Sequence, residues 1–334
     1  MNVTLLSTGG TIASTETDTG AKPTQTGPEL LEAVPELETY ATLSVESVAQ
    51  IPSFEIDAET LEEIADRVDE LDVDPSADAV VITHGTDTME ETAYYLDVTI
   101  RPETPVILTG AQRRPDEVSS DGPSNLLTAV RAGKAFADRG AGGTFVAFNE
   151  EVHSARTVTK AHTSALEAFR SKNAGPVATI DRNGVAIHRP PRSETRPIET
   201  TSLAATVFTI KSGSAVTGDL LEAALERDAD GIVIEGTGLG NATAGVADAV
   251  RDAIDSDIPV VVASRCLEGR VTPVYGGDGG GERLREYGAI FAGDLSAQQA
   301  RLRLALALEA FDDPEAIRAA FASADRSRSP SDQT

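Results

Sequence analysis

The chain of 334 residues carries 54 Asp plus Glu against 28 Lys plus Arg, a formal net charge of −26, and a single cysteine, Cys266. Its length suggests two domains or one large one; the lone thiol excludes a disulfide-stapled miniprotein and fits a reducing compartment; the surplus of carboxylates argues against nucleic-acid binding, which needs basic surface. Only five of the basic residues are lysines, tryptophan is absent and the acid is spread along the chain, which reads as adaptation to a salt-rich cytoplasm with short-range screening rather than as a surface made for a basic partner.

The N-terminal residues Met1-Asn2-Val3-Thr4-Leu5-Leu6 lack a basic segment followed by a long apolar run, so no secretory signal is expected. No apolar run approaches the ~18 residues that cross a membrane. Short Val/Ile-rich runs then alternate with amphipathic stretches. Residues 3–6, 79–82, 105–108 and 144–148 read as strands buried on both faces, with helices at 57–71, 88–96 and 123–137. A hairpin is expected at 177–180 and 185–188 around Asp181-Arg182-Asn183-Gly184, since Asn-Gly is a turn signal. The polar, proline-rich stretch from His188 to Pro197 reads as a linker. Beyond it the pattern resumes, with strands at 231–234 and 258–263 and helices at 218–227, 243–254 and 296–310. Strand–helix alternation implies a parallel sheet with crossovers. The expected fold is α/β in two domains. The larger, at 1–188, is an open, mostly parallel sheet flanked by helices. A linker at 189–204, a smaller α/β domain at 205–324 and a frayed tail at 325–334 follow.

Three segments carry residues suited to chemistry. Thr8-Gly9-Gly10-Thr11-Ile12 follows the first strand directly. Glycines there let the backbone bend and approach a ligand, and open α/β sheets bind ligands beyond the carboxyl ends of their strands. Thr11 then offers its hydroxyl at that edge; an ordinary βα turn uses the same small residues. The second segment is Thr83-His84-Gly85-Thr86-Asp87-Thr88-Met89-Glu90-Glu91. A strand ends at Thr83 and a helix begins near Thr88, with Thr88 and Glu91 at capping-box spacing. Thr86 and Asp87 then lie at a positive helix end, where a carboxylate-bearing ligand fits and Asp87 can receive an ammonium group. As plain caps they would need no ligand. The third is Thr157-Val158-Thr159-Lys160. In a chain that prefers arginine, a lysine able to lose its proton is a candidate base; the alternative is a surface lysine lying along apolar neighbours.

Taken together, these segments resemble the bacterial-type L-asparaginase (asparaginase/glutaminase) family, and the resemblance runs nearly end to end, closest over 83–93. It implies hydrolysis of the side-chain amide of L-asparagine, with L-glutamine as a second possible substrate, to the acid and ammonia. By the resemblance Thr11 is the nucleophile, and Thr86, Asp87 and Lys160 form a second catalytic set in which lysine and aspartate polarise a threonine hydroxyl. Asp87 also holds the α-ammonium, and Ser53, in Ile51-Pro52-Ser53-Phe54, the α-carboxylate. Ala111, in Thr109-Gly110-Ala111-Gln112, turns its backbone toward the side-chain amide. Asn241, in Gly236-Thr237-Gly238-Leu239-Gly240-Asn241, and Glu282 reach a neighbouring subunit's site, which implies a homo-oligomer, a dimer or tetramer. No cofactor or metal is expected, because His84, His153, His162 and His188 show no ligand spacing.

Two departures stand out. The family's loop tyrosine is missing, since residues 12–39 contain none, so Thr24 or Gln25 is expected to orient Thr11. Phe54 replaces a polar residue that often follows the binding serine. Two rival readings remain. One is the amidase subunit of a tRNA-dependent amidotransferase, which has a related domain and usually extra N-terminal sequence. The other is a non-catalytic amino-acid or nucleotide-binding protein, hinted at by the 236–241 glycines, which lack the last glycine of G-x-G-x-x-G.

Overall fold

The computed structural model describes residues 1–322, so the tail expected at 325–334 lies outside the described residues. The chain divides into two compact units, Met1–Pro197 and the part from Ile198 onward.

In the first unit the order is β1 (Asn2–Gly9), β2 (Ser14–Thr15), β3 (Lys22–Pro23), α1 (Gly27–Glu32), β4 (Thr42–Ile51), α2 (Ala58–Asp72), β5 (Ala79–Thr83), α3 (Met89–Thr99), β6 (Pro105–Thr109) and α4 (Gly122–Ala137). Then come β7 (Gly143–Phe148), β8 (Glu151–Ser154), β9 (Val158–Lys160), β10 (Phe169–Ser171), β11 (Ala178–Asp181) and β12 (Gly184–Ile187). Eight strands form one sheet in the order β12-β11-β8-β7-β6-β5-β1-β4. β4, β1, β5, β6 and β7 run parallel, whereas β8, β11 and β12 extend that edge antiparallel.

Every residue of β5, β6 and β7 is buried, as strands covered on both faces require. α2 buries Leu61, Ile64, Ala65, Val68 and Leu71, a stripe at three- and four-residue spacing. Beneath the other helices Leu5, Val81, Ile107, Val130 and Phe136 share one core with Phe145, whose ring meets that of Phe136 edge-on at 4.9 Å. β1 and β5 are neighbours in the sheet, yet the chain runs on from β1 to β4 at the sheet edge and from β5 to β6 on the other side. That reversal opens a crevice at the carboxyl ends of the two strands.

α3 differs from expectation at its start. Thr88 is its N-cap residue but makes no side-chain cap; its ψ of 11° departs from the extended cap geometry. The hydroxyl donates instead to the Ser53 carbonyl at 2.7 Å, so it ties two loops together rather than closing a capping box. α3 also buries residues on nearly every side, Tyr94, Tyr95 and Asp97 among them, and runs through the interior. The proline-rich segment at 189–197 is fastened to this unit. Its Thr195 hydroxyl donates to the Asp97 carboxylate and to the Asp97 carbonyl, and the Arg189 guanidinium donates to the Gly175 carbonyl at 3.2 Å.

The second unit contains β13 (Val207–Lys211), α5 (Asp219–Leu225), β14 (Gly231–Gly236), α6 (Ala244–Asp255), β15 (Val260–Ser264), α7 (Gly281–Tyr287), β16 (Ile290–Phe291), α8 (Ala297–Ala310) and α9 (Pro314–Ala320). Its four strands run parallel in chain order. α8 begins with a capping box between Ser296 and Gln299. Among the described residues no helix is long and apolar enough to cross a membrane.

Candidate active site

The loops after β1 and β5 are pressed together. Gly10 has φ +80°, a conformation that side-chain-bearing residues rarely adopt, and a Cβ there would meet the backbone of Gly85. The Thr8 hydroxyl donates to the Thr83 carbonyl at 2.9 Å. Thr11 follows on a 3-10 turn, held by the Ser14 hydroxyl donating to the Gly10 carbonyl at 2.8 Å.

His84 stiffens the second loop. It is fully buried. Its Nδ1 lies 2.6 Å from the Gly85 carbonyl, and its Nε2 lies 2.9 Å from the Thr92 hydroxyl. Only an N–H can face the carbonyl, so the proton sits on Nδ1 and Nε2 accepts from Thr92. Burial pushes the imidazole down to about 4, which keeps it neutral. The loop is also braced by Ser53, on a turn after β4. The Asp87 N–H donates to the Ser53 hydroxyl at 3.2 Å, and Gly85 approaches so closely that a Cβ would lie 2.5 Å from the Ser53 Oγ.

Lys160 ends β9. Its backbone N–H donates to Glu90 of α3 at 2.8 Å, and its Nζ reaches the Thr86 hydroxyl at 2.8 Å and the Asp87 carboxylate at 2.6 Å. The lysine side chain is 13% exposed and that of Asp87 57% exposed. The amine end is thus largely withdrawn from water, while the carboxylate stays open to the cleft. Thr11, Ser53, Thr86, Asp87 and Lys160 line one cleft of about 370 Å³, a size suited to a small molecule. A hydroxyl, an acid and an amine at hydrogen-bond distance are the parts of an assisted nucleophile.

Ala111 is fully buried, in a cluster with Ile12, Ala13 and Leu30; its neighbour Gln112 lines the cleft. Among the described residues, the hydrogen bonds of the two residues expected to orient Thr11 go to its neighbours. The Thr24 hydroxyl is shared with Thr15 at 2.8 Å, and Gln25 bonds through its backbone to Ala13 while lining a separate small apolar cavity. The flap from 14 to 24 is instead clasped by Arg114, which pairs with Glu16 at 2.7 Å and with Asp116 at 2.9 Å, as the Glu16 N–H donates to Asp116. Sequence reasoning missed Arg114 and Glu117, both on the cleft wall. Their only signal was a run of charge just after Thr109-Gly110-Ala111-Gln112.

Asn241 and Glu282 belong to the second unit. The Asn241 side-chain oxygen accepts the Gly281 N–H at 3.0 Å, and the Thr237 N–H donates to the Asn241 carbonyl, so the glycine-rich turn is a self-bonded loop. Glu282, at the start of α7, pairs with Arg285.

Residues 2–193 match the model of the asparaginase N-terminal domain, and residues 206–321 that of the glutaminase/asparaginase C-terminal domain. The chain is 39% identical to a probable L-asparaginase of Deinococcus radiodurans, over 95% of this chain and 96% of that protein. It is 37% identical to a probable periplasmic L-asparaginase of Haemophilus influenzae, over 96% of this chain and 92% of that one. It is also 36% identical to a glutamyl-tRNA(Gln) amidotransferase subunit of Methanosphaera stadtmanae, over 91% of this chain and 71% of that one.

Proposed function

The chain belongs to the asparaginase family, and from that premise we propose that it is an L-asparaginase, an amidohydrolase that turns L-asparagine into L-aspartate and ammonia through a threonine nucleophile. The observation that carries this reading is the Lys160 amine, bonded at once to the Thr86 hydroxyl and the Asp87 carboxylate, in a cleft that Thr11 and Ser53 also line.

Asp87 receives the substrate α-ammonium and Ser53 the α-carboxylate, which leaves the side-chain amide to the threonines. A threonine hydroxyl attacks the amide carbon while its proton passes toward Lys160. The substrate ammonium and the Lys160 ammonium then compete for one carboxylate. Collapse of the tetrahedral intermediate expels ammonia, which takes a proton as it leaves. Water then cleaves the acyl-threonine ester to release aspartate. Backbone N–H groups near Thr11 and Ala111 hold the oxyanion, at ~3–4 kcal/mol per donor in other hydrolases.

The acidic composition supports a salt-rich cytoplasm as the setting, and the family resemblance supports self-association in which Asn241 and Glu282 reach a neighbour's cleft. A second reading is favoured by the amidotransferase relative: an amidase subunit that needs a partner and tRNA. Ammonia release from free L-asparagine and L-glutamine, followed across a salt series, decides between them. Turnover by the isolated chain supports the asparaginase. Turnover that appears only with a partner and tRNA replaces it with the amidotransferase.

A further inference from the structure

Lys160 is followed by a loop, 161–168, that returns on β10. Its base is closed by the Lys160–Phe169 pairing and by the Ala161 N–H, which donates to the Ala168 carbonyl at 2.7 Å. Thr163 and Ser164 of this loop stand on the rim of the cleft. Residues 161–164 are all exposed, so packing does little to fix them. The tip is shaped by His162, whose Nδ1 accepts the backbone N–H groups of Ser164 at 3.0 Å and Ala165 at 2.9 Å.

A ring nitrogen that receives two N–H donors must present a lone pair, so the proton of the neutral ring lies on Nε2. The arrangement is the one in which an Asn or Asp side-chain oxygen takes the N–H groups just ahead of it in a turn. Histidine differs in one respect. A second proton lands on Nδ1 and turns the acceptor into a donor that faces two donors.

We propose that His162 is a positioning residue: neutral, it holds Thr163 and Ser164 on the substrate side of the cleft, and protonated, it releases them. The proposal rests on the reading of this cleft as a substrate site. Two rim hydroxyls contribute to holding an amino acid, so release raises KM and leaves the chemistry at Thr11 and Thr86 nearly unchanged. The other charged groups here are Asp87, Arg114, Glu117 and Lys160 on the cleft wall and Glu167 in the loop. These groups are the same in every variant at position 162.

The test compares wild type with His162→Asn, which keeps an acceptor that does not gain a proton, and with His162→Ala, which keeps none. Amide exchange at Ser164 and Ala165 and KM for L-asparagine are measured at about pH 8 and about pH 5.5. At the higher pH, wild type and His162→Asn protect both amides, and His162→Ala exchanges about tenfold faster or more. At the lower pH, wild type matches His162→Ala, while His162→Asn stays protected. KM follows the same order and kcat changes less than about twofold. Equal acid sensitivity in wild type and His162→Asn, or full protection in His162→Ala, overturns the proposal. Exchange needs no turnover, so a chain inactive on asparagine sinks the functional reading while exchange still decides the role of His162.

Discussion

Gly10 and Gly85 touch backbone to backbone: a Cβ on Gly10 would stand 2.3 Å from the Gly85 nitrogen. This contact brings the Thr11 turn against the loop that carries Thr86. Gly10→Ala adds both a clash with unyielding main chain and a side chain at φ +80°. We expect a loss of about 3 kcal/mol or more, seen as a melting temperature lowered by roughly 6–12 °C, with activity falling further than stability. An unchanged melting curve with full turnover would mean that the two loops can part freely.

Lys160→Met keeps the length of the side chain and removes the amine. Ammonia release should drop by about 10²–10⁴-fold in kcat, with KM changing far less. Thr11→Ala should abolish turnover, and circular dichroism should show both variants folded. Near-normal kcat in both would remove the threonine mechanism.

Ser53→Ala deletes a hydroxyl that accepts the Asp87 N–H and that is proposed to hold the substrate carboxylate. Loss of a hydrogen bond to a charged group corresponds to roughly a 10–100-fold rise in KM, against a smaller change in kcat. A kcat effect larger than the KM effect would place Ser53 in the chemical step instead.

Stability should fall on acidification, with two opposing contributions. Burial holds His84 and His153 down at about 4, against 6.5 for a free imidazole. Their stabilising contribution is therefore whole above about 6.5 and drains away as pH drops toward 4. Burial raises Asp97 to about 6 from 3.8, despite the hydroxyls of Thr195 and Ser193 that donate to it. That carboxyl favours the fold below about 3.8 and loses its contribution as pH rises through 6. Asp97→Asn removes the opposing contribution, so denaturant unfolding of this variant should lose stability more steeply than wild type between pH 6.5 and 4. A shallower profile in the variant would contradict the assignment.

With 26 net negative charges, the fold repels itself at low ionic strength. The melting temperature in about 2–3 M KCl should exceed that in 0.1 M, because the Debye length shrinks from ~10 Å to ~3 Å or less. A melting temperature that falls with salt would remove the reading of salt adaptation.

Much of the fold was legible because burial on both faces leaves an unbroken apolar run: Ala79–Thr83 and Pro105–Thr109 need little more than their own composition to be read as inner strands. Lys160 stood out because lysine is scarce in this chain. What local sequence did not disclose depends on partners far along the chain. Thr88 has the spacing of a cap, yet its hydroxyl serves Ser53, 35 residues away. Arg114 reads as one more surface cation until Glu16 is seen beside it. His162 looks like any exposed histidine, since only the turn itself aims two N–H groups at its ring.

The bond from the Lys160 backbone to Glu90 joins residues 70 apart in sequence and lands on the first turn of α3. Thr86 and Asp87 precede that same turn. The Lys160 amine and its two partners, Thr86 and Asp87, are therefore gauged from a single ruler, the first turn of α3. A shift of β9 against that turn would lengthen both Lys160 bonds at once, so the spacing of these two short pieces is the dimension on which the triangle depends.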